Sequence, residues 1–312
     1  MDDSGWRIHP AFLPILPPVD CVRILDSTMR YEAPRSIADA VRLIDADPGA
    51  RIFAGGTDLL VQFRAGLRRP TAFVDVKRIP DLARITIDAA GLRLGAAVSA
   101  AEICEHAELK RLWPGLVEAV YLIGSTQIQG RATVGGNLCN ASPAADTTCA
   151  LMVNQAQCVI AGPKGERTVA VEHFCTAPGR TVLERGELLV GLHVPRPQPG
   201  TADAYLRLIP RTEMDIAVAG AGVSVTLDAD GVCTSARVAI AAVAPTVLLV
   251  PAAAEALAGS RIDEAALERA ARAASAMAQP IDDKRGTADY RRTIAGVLTK
   301  RAAALAARRA AN

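Results

Sequence analysis

The sequence predicts an α+β chain built as two successive units, and three observations carry that prediction. Its 312 residues are too many for one small domain. Strands and helices interleave as far as the proline-rich run Pro195-Arg196-Pro197-Gln198-Pro199-Gly200, which reads as a linker. Beyond it, two long apolar strands are followed only by helices, the order of an α+β unit. The boundaries expected are a proline-rich extension over 1–28, a first domain over 29–197 and a second over 201–307.

The extension shows neither helical nor strand period, and a chain starting at Met29 is expected to fold without it. Ser36 with Asp39 three residues on is close to a capping box, and Ile37, Ala40, Val41 and Ile44 supply one apolar stripe. That helix stops near Pro48-Gly49. Strands follow at 51–54, 72–76 and 92–96, then helices at about 99–108 and 112–121. A glycine-bearing segment spans 130–146, and a helix runs from Thr147 to Asn154. Strands at 157–161 and 167–171 flank the turn Pro163-Lys164-Gly165, and 187–194 closes the first unit. In the second unit, strands at 216–227 and 232–242 surround the turn Asp228-Ala229-Asp230-Gly231. Helices follow at about 251–258, 263–277 and 287–309. Arg308 and Arg309 suit the negative end of the last helix dipole, with a basic binding tail as the alternative.

Half the residues are hydrophobic and 22% are charged, so a large core can form. With aromatics at 4%, that core must be built from Val, Ile, Leu and Ala. A net charge of +2 offers no electrostatic footprint for nucleic acid. No apolar run has the length of a membrane span, and the N-terminus lacks the features of a secretory signal. Seven irregularly spaced cysteines fit free thiols better than a disulfide framework. Together these imply a cytoplasmic protein.

Two segments carry chemistry. In Ile52-Phe53-Ala54-Gly55-Gly56-Thr57-Asp58-Leu59 and in Thr133-Val134-Gly135-Gly136-Asn137-Leu138, an apolar approach enters a Gly-Gly pair and a small hydrogen-bonding side chain follows. Glycine pairs permit positive φ and let amide N–H groups approach a ligand, and consecutive N–H groups form an anion nest. A diphosphate, with roughly two negative charges, fits such a nest. Thr57 and Asn137 would then donate to phosphate or ribityl oxygens. One such pair alone reads as a plain tight turn; two with matching flanks point to a shared ligand. Neither the G-x-G-x-x-G fingerprint after the first strand nor a P-loop is present.

The order of these motifs resembles the FAD-binding medium subunit of the xanthine dehydrogenase and carbon monoxide dehydrogenase family. It rests on Ala54-Gly55-Gly56-Thr57-Asp58, Gln127-Ile128-Gln129, Thr133 to Asn137, and Ala141-Ser142-Pro143-Ala144-Ala145-Asp146. It extends through Val74 to Leu82, Glu187 to Pro195, Arg211 to Ala217 and Asp283 to Arg292, and so covers about 29–307. The resemblance implies a two-lobed FAD-binding domain of the molybdopterin dehydrogenase (PCMH) type followed by a smaller α+β C-terminal domain. It implies that Ile52, Phe53, Ala54, Gly55, Gly56, Thr57, Asp58 and Leu59, with Thr133, Val134, Gly135, Gly136 and Asn137, line a non-covalent FAD. By the same resemblance Asp146 sits near the adenosine or holds the second loop, Ile123 packs by the flavin ring, and Leu189 contacts the cofactor. Arg207 stands where relatives often carry a lysine.

The family also implies partners. A large subunit holds a molybdenum cofactor, and a small one holds two [2Fe-2S] clusters, expected as a dimer of heterotrimers. This chain's FAD would pass electrons onward to an external acceptor. No catalytic residue is assigned to the chain itself.

Cys139, Cys149, Cys158 and Cys175 follow the second loop. In relatives resembling the 4-hydroxybenzoyl-CoA reductase flavin subunit, an insertion there holds a [4Fe-4S] cluster; no such insertion is detectable here, so buried free thiols are expected. His9, His106, His173 and His193 show no metal-ligand spacing, and none follows a Gly-Gly pair, so no metal site and no covalent flavin link are expected. A self-sufficient flavin oxidase or reductase of the same superfamily stays open as the alternative, as does a binding module that has lost its flavin.

Overall fold

The computed structural model describes residues 29–312. The extension expected over 1–28 lies outside the described residues. The chain opens with a small parallel lobe: β1 (Arg30–Glu32), α1 (Ile37–Ala46), β2 (Arg51–Phe53), α2 (Leu59–Arg64) and β3 (Ala72–Asp75), with strand order β1-β3-β2. Ser36 caps α1 as its sequence predicts, accepting from the Asp39 N–H at 3.1 Å. Ala40, Ile44, Val74, Ile79 and Leu82 form this lobe's core.

The second lobe is an antiparallel sheet of five strands in the order β4-β5-β10-β6-β7. Its strands are β4 (Ile85–Ile87), β5 (Gly91–Gly95), β6 (Gln157–Gly162), β7 (Gly165–Ala170) and β10 (Leu188–Pro195). A short hairpin of β8 (Cys175–Ala177) and β9 (Arg180–Thr181) stands apart. Between β5 and β6 run α3 (Ala100–Glu105), α4 (Ala107–Leu112), α5 (Pro114–Tyr121), α6 (Thr126–Gln129), α7 (Val134–Asn140) and α8 (Asp146–Val153). The one helix expected over 99–108 is two. His106 ends α3, and its Nδ1 accepts from the Leu109 N–H at 3.4 Å to begin α4. All eight residues of α8 are buried, as a helix enclosed on every side must be.

The C-terminal unit is a sheet in the order β11-β12-β13-β14, with β11 (Thr201–Leu208), β12 (Ala219–Leu227), β13 (Cys233–Ala241) and β14 (Leu248–Leu249), followed by α9 (Pro251–Leu257), α10 (Glu264–Met277) and α11 (Ala288–Ala310). The first of these strands was not expected, and β12 starts three residues later than its apolar run suggests. Strand alternation gives the sheet two faces. Ala204, Ala221, Val223, Val238 and Ile240 pack against the three helices. The opposite face meets the second lobe, where Tyr205, Ala239 and Ala241 join the core of α5 and α8. Gly222 allows that approach: a Cβ there would stand 3.2 Å from the Cys149 carbonyl oxygen.

Arg309 is neither a simple dipole cap nor a basic tail. It forms an ion pair with Glu118 on α5 and donates to the Asp203 carbonyl at 2.9 Å, clasping the last helix to the second lobe. No helix among the described residues is long and apolar enough to cross a membrane.

Candidate functional site

The two glycine segments lie against each other, although about 80 residues separate them in sequence. A Cβ on Gly55 would stand 2.0 Å from the Arg131 carbonyl oxygen, so the first loop rests directly on the approach to the second. Gln62 on α2 donates to Asn140 at the end of α7 at 2.9 Å, a further tie between the loops. Lys77 supports the first loop from the next strand end. Its Nζ donates to the Ala54 carbonyl at 2.9 Å and to Asp75 at 2.6 Å, and lies 4.2 Å from the Phe53 ring centroid.

In the first loop Gly56 has φ +76, and a Cβ there would stand 2.4 Å from the Phe53 ring, so two independent constraints require glycine. Among the described residues, the N–H groups of Gly55, Gly56, Thr57, Asp58 and Leu59 find no acceptor. Five consecutive donors left open by the protein form a cradle for an anion. Asp58 opens α2 without a capping bond from its own side chain.

The second pair is built differently from expectation. Gly135 and Gly136 are not a positive-φ turn. They occupy the first turn of α7, which Thr133 caps by accepting from the Gly136 N–H at 2.9 Å. Glycine is needed at 135 for space, since a Cβ would stand 2.5 Å from the Ala96 carbonyl oxygen. The Val134 side chain is buried in the core beneath. Asn137 follows one turn later. Its Oδ1 accepts from the Thr147 hydroxyl at 2.6 Å, which turns its amide N–H groups away from α8.

Asp146 does not hold the second loop; its neighbour Thr147 does. The Asp146 carboxylate instead accepts from Tyr205 Oη at 2.9 Å and from Arg207 Nη1 at 2.6 Å. Burial pushes its carboxyl up to about 6, against the pull of Arg207 and Tyr205. Arg207 is thus taken up by an ion pair, and its Nε finds no partner. Leu189 lies on the central strand β10 with its side chain in the core. Ile123 is half-buried, and its carbonyl is held by the Gln129 amide at 3.3 Å, as is that of Tyr121 at 2.6 Å.

Sequence reasoning therefore missed Lys77, Gln129, Thr147 and Tyr205. Lys77 and Gln129 lie inside motifs that carry the resemblance and Thr147 directly follows one, and a polar side chain so close to a glycine loop is the signal that could have marked them. Cys139, Cys149, Cys158 and Cys175 are free thiols. Burial raises all four, Cys139 to about 12 and Cys175 to about 11. Among the described residues no three His, Cys, Asp or Glu side chains are arranged to hold a metal ion.

A small parallel lobe and a larger antiparallel lobe, meeting across two glycine segments and backed by a helix-covered sheet, define a two-domain FAD-binding α+β protein of the PCMH type. Residues 27–197 match the FAD binding domain in molybdopterin dehydrogenase, and 204–306 match the CO dehydrogenase flavoprotein C-terminal domain. The carbon monoxide dehydrogenase medium chain of Hydrogenophaga pseudoflava is 33% identical over 273 residues, 87% of this chain and 94% of that one. The xanthine dehydrogenase FAD-binding subunit of Escherichia coli O157:H7 is 34% identical over 218 residues, 69% of this chain and 74% of that one. A crystallised chain of the Hydrogenophaga pseudoflava carbon monoxide dehydrogenase superposes with a TM-score of 0.86 at 34% identity, covering 90% of this chain and 98% of that chain. A chain of quinoline 2-oxidoreductase from Pseudomonas putida 86 gives 0.85 at 28% identity, covering 91% and 98%. The protein belongs to the FAD-binding medium subunits of the carbon monoxide dehydrogenase and xanthine dehydrogenase family, the molybdenum hydroxylases.

Proposed function

We propose that this chain holds FAD non-covalently between its two glycine segments and serves as the electron-output subunit of a molybdenum hydroxylase. The observation that carries the reading is the cradle of five open N–H groups at Gly55 to Leu59, facing no acceptor of the protein's own. A diphosphate satisfies them without a counter-cation, because the loop's glycines leave the backbone bare. Asn137, fixed by Thr147, presents its amide N–H groups to a ribityl or phosphate oxygen. Thr57 adds a hydroxyl, and Ile123 offers an apolar contact for the ring. Val134 and Leu189, whose side chains are in the core, shape the floor of the site.

Bound FAD supplies the capacity to take up and release electrons; the chain's own residues bind it, orient it and exclude water around it. Electrons would arrive from [2Fe-2S] clusters on a small partner, after substrate oxidation at the molybdenum cofactor of a large one, and leave to an external acceptor. The expected assembly is a dimer of such heterotrimers in the cytoplasm. Similarity to medium chains of multi-subunit dehydrogenases supports this division of labour.

The test is production of the chain alone and together with its molybdenum and [2Fe-2S] partners. Alone, it carries flavin that acid precipitation releases to the supernatant, and it hydroxylates no aldehyde, purine or N-heterocycle. With the partners, hydroxylation appears and all three subunits co-purify. A colourless chain sinks the FAD site, and substrate turnover by the lone, metal-free chain sinks the subunit reading in favour of a self-sufficient flavoenzyme.

A further inference from the structure

Glycine at position 55 meets one need and creates another. A Cβ there would stand 2.0 Å from the Arg131 carbonyl oxygen, so glycine is what lets the two loops meet. Without a Cβ, however, the peptide joining Ala54 to Gly55 is free to flip, since glycine tolerates positive and negative φ alike. In a trans peptide the C=O and N–H groups point in opposite directions. A flip would turn the Gly55 N–H out of the cradle and put the Ala54 carbonyl oxygen where the anion belongs. Gly55 is not flipped: its φ is outside the left-handed region, unlike that of Gly56 at +76.

One side chain opposes the flip. The Ala54 carbonyl accepts from Lys77 Nζ at 2.9 Å, and among the described residues it has no other donor. Lys77 stands in the 3-10 turn Val76–Arg78 that follows β3, and parallel pairing sets Asp75 at the end of β3 beside Phe53. The buried Asp75 carboxylate holds Lys77 twice with one oxygen, accepting from its backbone N–H at 3.0 Å and from its Nζ at 2.6 Å. Tyr31 on β1 donates to the other oxygen. The ammonium also lies 4.2 Å from the centroid of the Phe53 ring, the ring that a Cβ on Gly56 would strike. All three strands of the small lobe thus converge on one loop carbonyl.

We propose that Lys77 is the positioning residue of the diphosphate cradle: by holding the Ala54 carbonyl it fixes the Gly55 N–H toward the anion, with Asp75 and Tyr31 as its anchor. This rests on the FAD reading above and specifies what orients the binding loop. Lys77 acts through the peptide and not as a counter-ion, because Asp75 already pairs its charge at 2.6 Å.

The experiment titrates the flavin-stripped full-length chain with FAD, followed by flavin fluorescence, for the native protein, Lys77→Met and the double variant Asp75→Asn/Lys77→Met. Methionine keeps an apolar stem against Phe53 and removes the donor. The double variant also leaves no unpaired buried carboxylate, which separates loss of the donor from loss of stability. Both variants should weaken FAD by about fivefold or more, the worth of one hydrogen bond. At saturating FAD the absorption spectrum of the bound flavin should stay native, because the ring lies away from this loop. A smaller loss in the double variant, or a loss accompanied by an altered bound-flavin spectrum, overturns the positioning role and leaves the FAD reading intact. A double variant that does not fold makes Lys77 a residue of the fold alone and overturns it too. Failure of the native chain to bind FAD overturns both.

Discussion

Asp146 on α8 and Arg207 on β11 meet at 2.6 Å with 8% and 6% of their side chains exposed, so the first helix residue after the second glycine segment is locked to the C-terminal sheet by a buried ion pair. Tyr205, two residues before Arg207 on the same strand face, donates to the other carboxylate oxygen. The C-terminal domain thereby sets the position of α8. Through the Thr147 hydroxyl, α8 in turn sets the orientation of Asn137.

Removing one member of that pair strands the other in a water-free environment. Asp146→Ala or Arg207→Ala is expected to destabilise the protein by about 3–5 kcal/mol. Replacing both by apolar residues of similar volume should recover most of the loss, because the isolated charge is the main cost. Urea unfolding of the two single variants and the double variant decides this. Single variants within about 1 kcal/mol of the native protein would show that water reaches the pair.

The glycines rank by what a side chain would strike. Gly55→Ala drives a methyl into the Arg131 carbonyl and separates the two loops, and Gly135→Ala strikes the Ala96 carbonyl. Both should lose FAD. Gly56→Ala combines positive φ with the Phe53 ring and should do the same. Gly136 is helical, and its new methyl would meet only the capping hydroxyl of Thr133 at 2.9 Å. Gly136→Ala should therefore cost no more than a cap, about 1 kcal/mol, and keep its flavin. Flavin-to-protein absorbance ratios of the four variants test the order, and loss of flavin from Gly136→Ala alone would reverse it.

Thr147→Val keeps shape while removing the hydroxyl that donates to Asn137 Oδ1. The amide then loses its fixed orientation, and FAD affinity should fall by about 1 kcal/mol, the worth of one hydrogen bond. Asn137→Ala removes the donor itself and should cost about 1–3 kcal/mol. The double variant should be no worse than Asn137→Ala, because Thr147 acts only through Asn137. Titration of flavin-stripped protein with FAD, followed by flavin fluorescence, gives the three values. Additive losses would separate the two residues' roles.

Legibility in the sequence followed physical locality. The Ser36 cap, the Asp228 to Gly231 turn and the three last helices depend on neighbours a few residues away, and each lies where its pattern predicts. The glycine pairs stood out because bare backbone is a local property. What each pair does was not legible: Gly55 and Gly135 are required by carbonyls at Arg131 and Ala96, distant in sequence. Strand β11 was hidden for the same reason. Ala202, Ala204, Leu206 and Leu208 alternate with Asp203, Tyr205 and Arg207, a half-buried strand by period. Its polar set looks like a solvent face until α5 and α8 are seen to cover it. The buried partners of Asp203, Tyr205 and Arg207 lie 49 to 88 residues away, beyond any sequence window.

Asp203 gives the protein a predicted pH dependence. It is enclosed between the domains, accepting from the N–H groups of Gly115 at 2.9 Å and Leu116 at 3.0 Å and from the Asn154 amide at 2.7 Å, so a strand of one domain caps the first turn of α5 in the other. Burial nonetheless pushes its carboxyl up to about 6, with those donors pulling the other way. In the unfolded chain an Asp titrates near its ordinary value of about 3.9. Between about pH 4 and pH 6 the folded protein therefore holds a proton that the unfolded chain has released, and stability falls as pH rises through that window. A shift of this size corresponds to roughly 3 kcal/mol. Asp146, also raised to about 6, adds a slope of the same sign. Asp203→Asn keeps an acceptor for the α5 turn and removes this titration, so its stability should fall less than that of the native protein between pH 4 and pH 6. Urea midpoints for the native protein and Asp203→Asn, measured across that range with FAD in excess, are the check. A variant with the native slope would place Asp203 in water rather than between the domains.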